Sequence, residues 1–171
     1  TSGLFPLVLP LDPQNGKVNI TMGAFSPITS RPGSFGQVEF RVIGDSSEIT
    51  VELIEISFGE NFDNSIGEDS RKVTWITQTQ QPQPPPPTLI SGPGEIALDL
   101  NLAVGYQGQQ TLTTDLSPGR ELTIDVAAVS GASGNIGFGI TLAYDASILR
   151  FKRFDLKDIW AAGVPIVAPP E

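Results

Sequence analysis

Apolar and polar residues alternate with a period of two along most of the chain, the pattern of strands with one buried face. Over residues 95–104, Ile96, Leu98, Leu100, Leu102 and Val104 share one face, while Asp99 and Asn101 point the other way. Leu122, Ile124, Val126 and Ala128 repeat the pattern, as do Ile136, Phe138, Ile140, Leu142 and Tyr144. In the first half, Val38, Phe40 and Val42 alternate with Gln37, Glu39 and Arg41. Ile49, Val51 and Leu53 are followed by Ile54, Ile56 and Phe58 one step out of phase, which predicts a β-bulge near Leu53. Shorter strands are predicted over 18–22, 73–77, 112–116 and 149–154.

About nine strands result, and the residues between them suit turns. Ser30-Arg31-Pro32-Gly33, Gly44-Asp45-Ser46, Ser117-Pro118-Gly119 and the stretch 130–134 offer positive φ, fixed φ or local side-chain hydrogen bonds. The chain holds 18 Gly and 15 Pro, too much punctuation for long helices. Only residues 155–162 look helical, and they are too few to stand alone. The expected fold is all-β: a two-sheet antiparallel sandwich of jelly-roll type.

Residues 78–87 read QTQQPQPPPP, a polar tract that favours extended polyproline II over a strand. They divide the chain into 1–77 and 88–171, either as a linker between domains or as a stiff spacer within one. Neither part has strands enough for a sandwich of its own, so one domain in total is expected, within a subunit or shared between subunits.

Nineteen acidic residues against ten basic ones give a net charge of −9, and His and Cys are absent. Only Arg150, Lys152 and Arg153 cluster among the basic residues, so no phosphate-neutralising patch marks a nucleic-acid binder. Imidazole and thiolate metal sites, Cys nucleophiles and a His general base are excluded. No apolar run approaches the length of a membrane span. Beginning at Thr1 with no signal-peptide pattern, the chain reads as a processed product or as one unit of a longer polypeptide.

Residues 120–154 run strand, Gly-rich connection, strand, then Tyr144-Asp145-Ala146-Ser147-Ile148-Leu149 before another strand. This resembles the opening half of a cohesin module, where the pattern is "YDPSVL"; Ala146 stands where the family often has proline. Residues 33–58 resemble the closing half. The order is inverted, since the half that looks like a module's end comes first. Circular permutation, a repeat cut out of phase from a tandem array, and completion of a neighbouring subunit each account for it. The resemblance covers about two thirds of the chain and implies a protein-binding or structural module of an extracellular bacterial or archaeal surface. It carries over no binding residues.

The candidate sites are few. Glu60, Asp63, Glu68 and Asp69 concentrate oxygen ligands in one loop; it reads first as a solvated acidic loop, with calcium as the alternative cofactor. Asp145 is expected to cap the turn leading into Leu149 rather than to catalyse. Trp75, Tyr106 and Trp160 suit a sugar platform, but Trp75 is expected to pack in the core with Val73. Asn19-Ile20-Thr21 matches an N-glycosylation acceptor. No carboxylate pair is marked by its context for glycoside hydrolysis. The apolar terminal residues Leu4, Phe5, Leu7, Val8 and Leu9, with Val164, Ile166 and Val167, need burial either in their own core or in a neighbour's.

The expectation is therefore a non-enzymatic structural or adhesive module at the cell surface, associating with identical subunits by strand or half-domain exchange into a filament. The alternative is a module that binds a dockerin-like partner or a polysaccharide. Catalytic residues, nucleic acid and a membrane span are not expected.

Overall fold

Most of the alternating runs become strands whose apolar parity faces a common core. The computed structural model describes residues 4–12, 15–30, 33–58, 71–77, 96–103, 106–128 and 132–157. Ten strands follow in chain order: β1 (Leu4–Asp12), β2 (Lys17–Ser30), β3 (Gly33–Val42), β4 (Glu48–Phe58), β5 (Lys72–Ile76), β6 (Ile96–Asp99), β7 (Thr111–Thr113), β8 (Glu121–Ala128), β9 (Ala132–Tyr144) and β10 (Leu149–Leu156). They form a two-sheet β-sandwich, with no helix among the described residues. One sheet runs β1-β2-β9-β4-β5-β7 and the other β10-β3-β8-β6. All pairings are antiparallel except β5 with β7.

The order of strands in space departs from their order in the chain. β9, from the second half, lies between β2 and β4; β3, from the first half, lies between β10 and β8. Lys17–Gly23 of β2 pair with β9 along one side, and β4 pairs with β9 along the other. Neither part of the chain contributes an uninterrupted sheet.

Both sheets turn their apolar parity inward. Val18, Ile20, Val51, Leu53, Val73, Trp75, Ile140 and Leu142 from the larger sheet meet Phe35, Val38, Phe40, Val42, Ile96, Leu98, Ile124 and Val126 from the smaller, all buried. Each such side chain contributes about 1.5–3 kcal/mol by leaving water. Phe40 joins the sheets directly: its ring stands edge-on to Tyr144 at 4.9 Å and to Phe151 at 6.0 Å.

The expected bulge is present. Leu53 pairs with Leu142 and Glu55 with Thr141, so Ile54 is the extra residue. It is 43% exposed while Leu53 and Ile56 stay in the core. The tenth strand is β1, which the alternation did not mark because Pro6 and Pro10 interrupt it. Pro6 lies opposite Met22, and a proline is tolerated in a strand only where its missing N–H faces away from the partner. β1 lies at the sheet's edge, the place in a sheet where a proline is most readily accommodated.

Other expectations need correction. The run 95–104 is not one strand: β6 ends at Asp99, and Leu102 is 48% exposed. The run 112–116 shrinks to the three residues of β7, although Leu116 still reaches the core. Asp155 and Leu156, taken as the start of a helical stretch, end β10 instead. Ala132–Gly134, assigned to a turn, already belong to β9, and Ser30 and Gly33, assigned to another, end β2 and begin β3.

The turn between β1 and β2 is tied to the sandwich through Gly16. Its φ is +68°, and its carbonyl accepts the Tyr144 N–H at 2.8 Å. A Cβ there would lie 1.7 Å from the Tyr144 carbonyl oxygen. Gly119 also has a positive φ, +96°, but open space beside it. Thermal unfolding should therefore separate the two: Gly119→Ala costs about 1 kcal/mol from backbone strain alone, whereas Gly16→Ala costs about 3 kcal/mol or more because the β9 terminus must also move. Equal losses would contradict the tight approach.

Candidate functional site

Polar chemistry concentrates on the smaller sheet, on the face turned away from the core. The alternation that sends Leu98 and Val126 inward sends Asp99 and Asp125 outward, yet both carboxylates are buried, at 0% and 1% exposure. They are direct cross-strand partners, since Asp99 of β6 pairs with Asp125 of β8.

Asp99 organises the loop that follows it. Its Oδ1 accepts the backbone N–H groups of Asn101 (2.9 Å) and Gln109 (3.0 Å), and its Oδ2 those of Gln107 (2.5 Å) and Gly108 (3.0 Å). Four donors fill the roughly four acceptor positions of a carboxylate. The left-handed φ of Gly108, +72°, helps turn three successive amides toward one anion, in the manner of a backbone nest. Asn101 repeats the motif on a smaller scale, its Oδ1 accepting the Ala103 N–H. Gln110 closes the loop from the other side, donating to the Leu98 carbonyl at 2.8 Å and to the Tyr106 hydroxyl at 3.1 Å. Tyr106 is thus half-buried against the loop.

Asp125 is less well served. The Ser34 hydroxyl donates to its Oδ1, and its Oδ2 has no hydrogen-bond partner. Burial pushes its carboxyl up to about 6, with a contribution from the Asp99 charge; Ser34, Gln37 and Lys157 act in the opposite direction.

Toward β10 the same face carries ion pairs. Glu121 meets Arg41 at 2.9 Å and Lys152 at 3.0 Å, and Arg153 meets Glu39 and Asp155, each at 2.9 Å. Glu121 is held below the usual carboxylate range by its hydrogen bonds to Arg41 and Lys152. Lys152 and Arg153, two of the clustered basic residues, are thereby committed to carboxylates.

An open groove of about 430 Å³ lies at one end of the sandwich, lined by Asp45, Ser46, Ser47, Thr77, Asp115, Leu116 and Ser117. Its side chains are hydroxyls and carboxylates with one apolar residue, Leu116, and no aromatic ring. Asp115 accepts the backbone and hydroxyl groups of Ser117, which hold its carboxyl below the usual range.

Among the residues marked in the sequence, Asp145 caps its turn: its Oδ1 accepts the Ser147 N–H at 2.8 Å, and its carbonyl accepts the Leu149 N–H. Trp75 is buried beside Val73 and cannot face a sugar; Trp160 lies outside the described residues. Asn19 and Thr21 sit on the outer face of β2, where Asn19 donates to Thr141 and accepts from Thr21. Leu4, Phe5, Leu7, Val8 and Leu9 lie in β1, paired with β2 of the same chain. Val164, Ile166 and Val167 fall outside the described residues, as do Glu60, Asp63, Glu68 and Asp69. No group of three or more acidic residues among the described ones is placed to hold a metal ion. No helix among them is long and apolar enough to cross a membrane.

The Asp99 loop is the feature that period-two reading missed. The signals were present: Asp99-x-Asn101 suits two successive local turns, and Gly105 and Gly108 interrupt the apolar pattern. Set against family models, curated proteins and solved structures, the chain matches none.

Replacing Asp99 by Ala should strand four amide donors at once. Urea unfolding at neutral pH should show a loss of about 2–4 kcal/mol, reduced somewhat by relief of the charge on Asp125. Hydrogen exchange should show the protection of Gln107, Gly108 and Gln109 lost first. Unchanged protection at these amides would mean that the loop is held by something else.

Proposed function

We propose that the chain is a non-enzymatic structural or adhesive module of an extracellular surface assembly, whose copies join head to tail by exchanging strands or halves. The interleaving of the two parts of the chain carries this reading. β9 needs β2 and β4 as neighbours, and β3 needs β8 and β10. A second copy can supply the same strands in the same register, because main-chain pairing and alternate apolar side chains are indifferent to which chain provides them.

The sheet edges favour exchange over simple edge-to-edge addition. Pro6 and Pro10 each remove a donor from the edge strand β1, and β10 is interrupted by an irregularity between Phe151 and Arg153 and carries Arg150, Lys152 and Arg153. Prolines, bulges and basic residues all make poor templates for an added strand. β6 and β7 are only four and three residues long. A net charge of −9 keeps separate copies apart until strands are traded. The resemblance of residues 120–154 and 33–58 to cohesin halves in inverted order points the same way.

A second reading rests on the groove beside Asp45, Thr77 and Asp115, whose hydroxyl-rich lining suits a polar ligand on a separate protein or polysaccharide. A strictly monomeric chain would favour it.

Light scattering with negative-stain imaging of one sample separates the two. Assembly by exchange predicts masses at multiples of 18.2 kDa and elongated particles; a monomer at every concentration would sink it. Deleting residues 1–10 should abolish polymers while leaving a folded monomer if β1 is the exchanged strand. Loss of folding on that deletion would instead show that β1 belongs to the chain's own core.

A further inference from the structure

The register of the smaller sheet lines up Asp155 of β10, Gln37 of β3, Asp125 of β8 and Asp99 of β6 across its outward face. Three of these four residues are acids, and the inner two carboxylates are both buried and directly opposed. Cross-strand partners in an antiparallel pair have Cα atoms only about 4.5–5.5 Å apart. Like charges at that separation, out of water, oppose each other strongly.

Hydrogen bonding decides where a proton goes. Every acceptor position of Asp99 faces a backbone N–H, so a proton there would displace a donor. Asp125 has fewer donors: the Ser34 hydroxyl on Oδ1 and the Gln37 side chain beside it, with Oδ2 buried and unmatched by any N–H or O–H. A proton on that oxygen competes with fewer donors than one on Asp99 would, and it removes the buried charge facing Asp99.

We propose that Asp99 and Asp125 form an acid-tightened clasp, in which protonation of Asp125 fastens β6 and the loop after it to β8, and its ionisation loosens them. The device is independent of how copies of the chain assemble.

The surrounding charges agree with it. Among the described residues, Asp125 is approached by Asp99 from β6, by Lys157 just beyond β10 and, across Gln37, by Asp155, which is itself paired with Arg153. β3 presents the neutral Ser34 and Gln37, and Glu39 farther along is tied to Lys152 and Arg153. Only Lys157 favours the anion by charge, and burial outweighs it: the carboxyl is raised from 3.8 to about 6. A raised folded value means that the folded chain holds a proton the unfolded chain has released. The resulting stabilisation is complete below 3.8 and is lost as pH rises through about 6.

Asp125→Asn tests the clasp, since the amide keeps an oxygen for Ser34 and places N–H donors where the proton would sit. Urea unfolding of both proteins between pH 4 and 7.5 yields the ratio of their unfolding constants. Between those limits the ratio should move by about 10–100-fold in favour of the variant. A ratio independent of pH, or one that moves the other way, overturns the proposal. Should the variant fail to fold, carboxyl carbon NMR of the unaltered chain serves instead. One Asp should titrate near pH 6, and the Gly108 and Gln109 amides should shift with the same midpoint. An Asp set titrating wholly below about pH 4.5, or loop amides blind to the transition, overturns it as well.

Discussion

An interior strand must have its backbone hydrogen bonds met on both sides, and here the two sides are met from opposite halves of the chain. β9 is enclosed by β2 and β4, and β3 by β8 and β10. Everything else follows from this constraint. The core can form only when both parts are present, because the apolar faces of β2 and β4 flank Ile140 and Leu142, while Ile124 and Val126 lie beside Val38. Phe40, Tyr144 and Phe151 then close the space between the layers. Hydrophobic burial supplies the driving force, but the register decides which residues receive it.

The strands were legible where one face packs and the other meets solvent. Val38, Phe40 and Val42 alternate with Gln37, Glu39 and Arg41, and that contrast survives into the structure. The slip between Leu53 and Ile56 was legible for the same reason: one extra residue changes the phase, and only a bulge restores it. β1 was hidden because two prolines argue against a central strand, and alternation alone does not say which strands are edges. The Asp145 turn could be read from residue types because its partners lie two to four positions away.

Asp99 shows where such reading stops. On a strand, an acid at the polar parity is taken as solvent-facing, and Asp99 is fully buried. Its partners are backbone amides up to ten residues away, brought together by a left-handed glycine. Amides carry no sequence identity, so nothing in the residue pattern names them. Asp125 is hidden differently, since its burial depends on a neighbour in another part of the chain. The candidate site is thus a product of register, and the residues that compose it look ordinary one at a time.

The interleaved order also sets a schedule for the nascent polypeptide. Asn19 donates to Thr141 across a separation of 122 residues, so β2 and β3 emerge long before β9 and β8 exist to receive them. At about 5–20 residues per second, the first half waits on the order of ten seconds with unpaired edges and bare apolar faces. Contacts this distant also make for slow closure once the chain is complete. Order of synthesis, as much as equilibrium, thus governs how long the early strands stay without their partners.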